Sequence, residues 1–220
     1  MKRLHYPLDV MLLCVRSYVA YSFSLRNLEE MMAERAIGVD HSTVHRWVIK
    51  LLPLFEKMFR KHKRPVAKSW RMDENIKVKG SRSIFIAQWK GRQHHRFSVQ
   101  SQVDKAAAWR FFEKAIGQIG LPETVTIDKS GSNLAALHAV NAGRETPSKV
   151  RQVKYLNKEV EQDHRTTKRR TGPMLGFKDF HCARVILSGI EVMHVIKKGQ
   201  VKDLGKVPLS AAQQFYSIVS

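Results

Sequence analysis

Acidic residues are scarce in this sequence. Asp and Glu total 19 against 39 Lys and Arg in 220 residues, a formal net charge of +20 with an isoelectric point near 10.3. That imbalance sets up a long-range positive field whose partners are polyanions, nucleic acid ahead of anionic membrane. Cysteine is scarcer still: Cys14 and Cys182 lie far apart, and neither has a second thiol or a paired histidine at ligand spacing. Neither a disulfide framework nor a zinc site is indicated, and a reducing cytoplasm is expected. A long apolar run is missing too. Pro7 and Asp9 precede the first apolar stretch and Arg16 interrupts it, so neither a signal peptide nor a membrane span fits there. Internal repeats and low-complexity tracts are absent. What remains is 43% hydrophobic, enough for packed cores in one domain of ordinary size plus a small one.

The first quarter of the chain has helical spacing. Leu12, Leu13, Val15, Tyr18 and Val19 predict a first helix over Leu8 to Tyr21, and Ser24 caps a second over Leu25 to Arg35. A turn at Ala36 to Val39 supplies Gly38 for a tight reversal. Asp40 then caps a third helix whose Val44, Trp47, Val48 and Leu51 face a core. This is the helix-turn-helix layout, in which the later helix enters the major groove near its N-terminus. His41, Ser42, Thr43, His45 and Arg46 are left facing outward as the DNA-reading side chains. Residues 1–56 are therefore expected to form a small all-α helix-turn-helix domain. Residues 57–68, rich in Lys and Arg and broken by Pro65, read as a basic linker.

Beyond the linker the period changes to two. Ser69 to Lys79 reads as a strand carrying Asp73 and Glu74, and Arg82 to Trp89 with His95 to Val103 as a hairpin around Lys90-Gly91-Arg92. Asp104 caps a helix to about Ile116, with Gly117 as its stop. A short strand, Glu123 to Ile127, delivers Asp128 to its C-terminal end, where active sites of α/β sheets lie. A strand over Lys149 to Tyr155 leads into a helix that ends near Arg170, and Asp179 to Lys198 forms a last long helix. The catalytic domain is expected over 69–200, followed by a loosely held tail over 201–220.

The helix after the last strand carries the densest chemistry. At about 100° per residue, Glu161 and Lys168 fall on one face two turns apart, with His164 and Arg165 between them. Metal-dependent phosphoryl transfer needs hard oxygen ligands that hold two divalent ions ~3.5–4 Å apart, and carboxylates on separate rigid elements supply them. Asp73, Asp128 and Glu161 are the candidate triad. Glu74, Glu159 and Asp163 are neighbouring acids that a different strand register or helix face would bring in.

The surrounding motifs add a family resemblance. Trp70-Arg71-Met72-Asp73-Glu74, Val125-Thr126-Ile127-Asp128-Lys129, Arg151-Gln152-Val153-Lys154-Tyr155-Leu156-Asn157 and Glu161-Gln162-Asp163-His164-Arg165 with Lys168-Arg169-Arg170 closely resemble the bacterial insertion-sequence DDE transposases of the IS-six family. Similarity extends to Val39 to Val48 and to Pro173-Met174-Leu175-Gly176-Phe177. The resemblance implies an RNase H-like mixed five-stranded sheet with flanking helices behind the helix-turn-helix. It also implies Mg²⁺ or Mn²⁺ as cofactor, two ions held by Asp73, Asp128 and Glu161, and a DNA contact from Lys168; His164, Arg165 and Arg169 are the neighbouring candidates for DNA phosphate. Expected partners are double-stranded DNA at element ends and targets and a second copy of the chain, in a synaptic dimer or higher oligomer. Neither a membrane nor a small-molecule substrate is expected, and the location is the bacterial cytoplasm, at the nucleoid. Ser81 to Gln102 departs from the family pattern and contains no acid. Two compensating frameshifts would produce such a segment, and the alternative function is then that of a degenerate copy that only binds DNA.

Overall fold

The computed structural model describes residues 6–62, 69–78, 81–88, 95–97, 105–127, 131–153, 169–174, 177, 179–199, 201 and 209–219. In chain order these form helices α1 (Leu8–Ala20), α2 (Leu25–Ala33) and α3 (His41–Phe59), strands β1 (Ser69–Val78), β2 (Ser81–Gln88) and β3 (His95–Phe97), and helix α4 (Lys105–Ile119). Strand β4 (Thr124–Ile127), helix α5 (Gly131–Ala142), strand β5 (Lys149–Gln152) and helices α6 (Phe180–Lys197) and α7 (Ala211–Val219) follow. Contacts divide the chain into two compact units. One holds 1–63, 166–177 and 185–220; the other holds 64–165 and 178–184. Among the described residues no helix is long and apolar enough to cross a membrane.

The helical unit grows from capped amphipathic segments. In α1 the buried stripe is Met11, Cys14, Val15, Tyr18 and Val19, at helical spacing. Leu12 and Leu13, expected inside, are only half-buried, so the apolar face is rotated from the expected one. Ser24 and Asn27 close a capping box on α2: the Ser24 hydroxyl accepts from the Asn27 N–H at 3.1 Å and the Asn27 amide oxygen accepts from the Ser24 N–H at 2.8 Å. The reversal after α2 places Ala36 in the left-handed region at φ 57°. Gly38, the expected turn glycine, has no such backbone. Asp40 caps α3 by accepting from the Ser42 N–H at 2.8 Å. Val44, Trp47, Val48, Leu51, Leu52, Phe55 and Phe59 then bury one face of α3. Trp47 is core, with Tyr6 packed edge-on at 5.1 Å.

Two features of this unit depart from the sequence reading, at the end of α3 and in the segment after residue 201. Helix α3 runs through Lys57 to Phe59 and continues as a 3-10 turn over Arg60–His62, because Phe55 and Phe59 prolong its apolar stripe. The start of the expected linker is thus helical, and 63–68 lie outside the described residues. Helix α6 from Val185 onward is buried on nearly every side, at Val185, Ile186, Leu187, Ile190, Val192, Met193, Val195 and Ile196. Gly189 lets it approach so closely that a Cβ there would lie 2.7 and 2.8 Å from the Leu52 methyls and 3.0 Å from Val19 Cγ1. Over 201–220, where a loose tail was expected, α7 is a packed helix. Its Phe215 is fully buried and lies 4.2 Å from the Phe55 ring. The missed signal was Ser210-Ala211-Ala212-Gln213, a capping box in which Ser210 and Gln213 exchange hydrogen bonds at 3.2 and 2.8 Å.

The other unit is built on a five-stranded sheet in the order β3-β2-β1-β4-β5. Strands β1, β2 and β3 pair antiparallel, and β4 and β5 join parallel to β1. This mixed topology, with the first strand central, is the RNase H-like arrangement. Trp70, Val125 and Ile127 bury one face of the sheet against Ala108, Phe112 and Ala115 of α4 and Ala136, Leu137 and Val140 of α5. Helix α4 continues past Gly117 and stops at Gly120, whose φ of 96° ends it. Asn141 and Ser148 exchange two hydrogen bonds of 2.8 and 3.0 Å that fix the α5–β5 connection. Of the hairpin expected at residues 82–103, the described part is β2 paired antiparallel with β3 over His95–Phe97, and 89–94 and 98–103 lie outside the described residues.

Candidate active site and DNA-binding surface

Register decides which positions of neighbouring strands lie side by side. Parallel pairing of β1 and β4 joins Ser69 to Thr124, Trp70 to Val125 and Arg71 to Thr126. Asp73 and Asp128 each follow this last pair by two residues in their own segments of the chain. Along β1 the backbone alternates, so position 73 belongs to the sheet face opposite Trp70 and its α4–α5 core. Asp73 pairs with Phe85 of β2, and Glu74 with Ile84; the register then shifts between Glu74 and Ile76, which leaves Asn75 as a bulge. Pairing up to that bulge keeps Asp73 and Glu74 on opposite faces. Asp128, Glu161, His164, Arg165 and Lys168 lie outside the described residues, as do Glu159 and Asp163.

Arg169 is helical and exposed, whereas Arg170 beside it is 7% exposed, with its guanidinium 3.5 Å from the Ile190 carbonyl. Burial, with Arg169 adding to it, pulls the Arg170 pKa down from its ordinary value.

The five outward residues expected on the recognition helix are all at the start of α3. The His41 Nδ1 sits 3.0 Å from Glu29 Oε2 and 3.2 Å from Asp40 Oδ2, so that nitrogen is turned back toward α2. Ser42 donates from both its hydroxyl and its backbone to Asp40, and these bonds hold the Asp40 carboxyl below the usual carboxylate range. Arg46 is exposed and donates to the Thr43 hydroxyl at 2.8 Å. His45 is half-buried. Arg46 therefore presents a cation from the first turns of α3, steered by Thr43. Glu29, Asp40 and His41 also bring ligand atoms within 4.8 Å of one another. Their contacts to each other and to Ser42 account for that proximity as a helix-start network.

The sheet topology defines an RNase H-like unit of the kind that carries polynucleotidyl transfer, joined in one chain to a helical unit. A family model described as a DDE domain, of the IS240 transposase type, matches residues 67–200. Over 200 residues the chain is 31% identical to the transposase for insertion sequence-like element IS431mec of Staphylococcus aureus, covering 89% of this chain and 88% of that protein. It is 30% identical, with the same coverage, to the transposase for insertion sequence element IS257 in transposon Tn4003 of Staphylococcus aureus. The catalytic core domain of HTLV-2 integrase in complex with magnesium matches at a TM-score of 0.41 and 11% identity, over 58% of this chain and 86% of that one. The chain belongs to the DDE transposases of the IS-six insertion-sequence family.

Proposed function

We propose that this transposase binds the terminal inverted repeats of its element and catalyses metal-dependent strand cleavage and transfer at Asp73, Asp128 and Glu161. The observation that carries the site is the β1–β4 register, which ends at Arg71 and Thr126 with one acid two residues further along each segment. Neighbouring strands lie about 4.8 Å apart, a spacing that lets two carboxylates share one ion. The donor set fits the group: carboxylate oxygens are hard ligands suited to Mg²⁺ or Mn²⁺, and Glu161 from a third segment completes a set able to hold two ions. When bound, such ions stabilise charge on the phosphoryl oxygens and lower the pKa of water. His164, Arg165, Lys168 and Arg169 hold the phosphates of the reacting strand, and His41, Ser42, Thr43, His45 and Arg46 read the repeat.

In this reading water cleaves the strand at the element's end, and the freed 3′ hydroxyl attacks target DNA to join two replicons as a cointegrate. The chain itself forms no covalent bond to DNA. Two ends meet in one complex, so the working form is a homodimer or larger assembly on the nucleoid. Continuous pairing of β2 with β1, interrupted only by the Asn75 bulge, supports a sheet that tolerates the departure at Ser81 to Gln102.

The test uses a 3′-end-labelled duplex ending in the terminal repeat, a supercoiled plasmid as target, and Mg²⁺. Label is expected to become joined to plasmid, and a 3′-deoxy end to block the joining. Label that stays attached to the protein after denaturation and is freed by protease would overturn the reading.

A further inference from the structure

The start of α3 is not the only cationic feature of the helical unit. At its α1–α2 corner, Arg16 donates from Nε to the Tyr216 hydroxyl at 3.3 Å and from Nη1 to the Tyr21 hydroxyl at 3.4 Å. Lys197, at the end of α6, donates to the Ala20 carbonyl at 2.9 Å. Its ammonium also sits 5.0 Å from the Tyr21 ring centroid, and the Arg16 guanidinium lies 5.7 Å from both tyrosine rings. These four side chains come from α1, the loop after it, α6 and α7, and they meet only because both ends of the chain build this unit.

Among the described residues, two cations are thus held together without a counter-charge. Among the described residues neither Arg16 nor Lys197 has a carboxylate partner, and their contacts are to phenols and one carbonyl. The Lys197 pKa is lowered by burial and then by the buried Arg170 guanidinium, with Arg16 adding to it. The Tyr21 hydroxyl accepts from Arg16 and has no acceptor for its own proton among the described residues. Tyr21 is 44% exposed and the Lys197 side chain is exposed as well. A bound anion would accept from an ammonium, a guanidinium and a phenol at once, and would remove the like-charge repulsion. Position favours DNA as the source of that anion, because in the homeodomain, a three-helix variant of the helix-turn-helix, the loop between the first two helices contacts the backbone while the third helix reads the groove.

We propose that Arg16, Tyr21, Lys197 and Tyr216 form a phosphate-binding site for the backbone of duplex DNA. The proposal rests on the reading of the chain as a repeat-binding transposase. It assigns part of DNA recognition to α6 and α7, which follow the catalytic segment in the chain. Contacts to phosphate carry no sequence information, so this site adds affinity and orientation and leaves base selection to α3.

Anisotropy titrations of the full-length protein test it, on the terminal-repeat duplex and on a scrambled duplex, across a series of salt concentrations. Lys197→Gln and Arg16→Gln are expected to weaken binding several-fold on both duplexes and to make the slope of log K against log salt shallower by about one each. Tyr21→Phe should weaken both with little change of slope, and Lys197→Arg should bind as wild type. Unchanged affinity and slope in the Gln variants would overturn the site. So would a Lys197→Arg variant as defective as Lys197→Gln, since the lysine would then act only as a pin on Ala20. Loss confined to vesicles of phosphatidylglycerol, with DNA binding intact, would also overturn it. Wild-type protein that binds neither duplex would overturn the repeat-binding reading as well; wild-type binding with inert variants sinks this site alone.

Discussion

Replacing Gly189 with alanine should produce an effect whose sign depends on Leu52. A Cβ at position 189 would lie 2.7 and 2.8 Å from the two Leu52 methyls and 3.0 Å from Val19 Cγ1. Leu52 and Val19 are each 1% exposed, so neither side chain has solvent to move into. Overpacking of this kind costs about 1–3 kcal/mol. Alanine in place of glycine inside a helix returns about 1 kcal/mol. The difference is a net loss of about 1 kcal/mol for Gly189→Ala alone. Leu52→Ala costs about 2–5 kcal/mol through lost burial and the cavity it leaves. In that background the two shortest contacts are gone and only the one to Val19 Cγ1 at 3.0 Å remains. Gly189→Ala should then stabilise, by up to about 1 kcal/mol. Urea denaturation followed by circular dichroism at 222 nm measures all four corners of this cycle. A gain of similar size in both backgrounds would refute the close seating of α6 on α3.

Other substitutions probe the same unit. Phe215→Ala removes a fully buried ring stacked on Phe55 and should cost about 3–5 kcal/mol in the same denaturation assay; a cost under about 0.5 kcal/mol would mean that α7 is not part of the core. Ala36→Gly should stabilise by about 1 kcal/mol, since Ala36 is held at φ 57° where a side chain is disfavoured; destabilisation would contradict that backbone. Burial pushes the Cys14 thiol up to about 11, while Cys182 is half-buried and less shifted. Iodoacetamide at pH 8 should therefore modify Cys182 first and leave Cys14 until urea unfolds the helical unit. Because its folded pKa is the higher one, the stability linked to Cys14 is complete below its unfolded pKa and is lost as the pH rises toward 11. Equal alkylation rates in the native protein would rule out the buried placement.

Local signals made much of this fold legible. Ser24 and Asp40 announce the starts of α2 and α3, and Val44, Trp47, Val48 and Leu51 mark the buried face of α3. Alternation from Ser69 onward marked β1, and the short segment ending at Ile127 marked β4. Where local reading failed, tertiary packing had decided the outcome. The α1 stripe is rotated because the helix is covered by α3 and also by α6, a segment from the far end of the chain. Gly117 did not stop α4, since its helical hydrogen bonding continues until Gly120 takes positive φ. The Ser210–Gln213 box was readable, but Phe215 and Ile218 alone do not say what they pack against. For the candidate site, sequence placed Asp73 on its strand and Asp128 after the next parallel strand; the register that pairs those strands depends on contacts across some 55 residues of chain. The Arg16, Tyr21, Lys197 and Tyr216 cluster had no sequence signal at all, because its members are spread over 200 residues.

Cleavage of a labelled terminal-repeat duplex in Mg²⁺, comparing wild type with Asp128→Asn at matched DNA occupancy, decides whether the acid after β4 belongs to the catalytic centre. The isosteric amide keeps size and one acceptor oxygen while removing the charge that would hold a cation. Wild type should nick at the repeat end, and Asp128→Asn should bind the duplex equally and leave it intact. Nicking by Asp128→Asn at the wild-type rate would contradict the assignment of the acid that follows β4 to the catalytic centre.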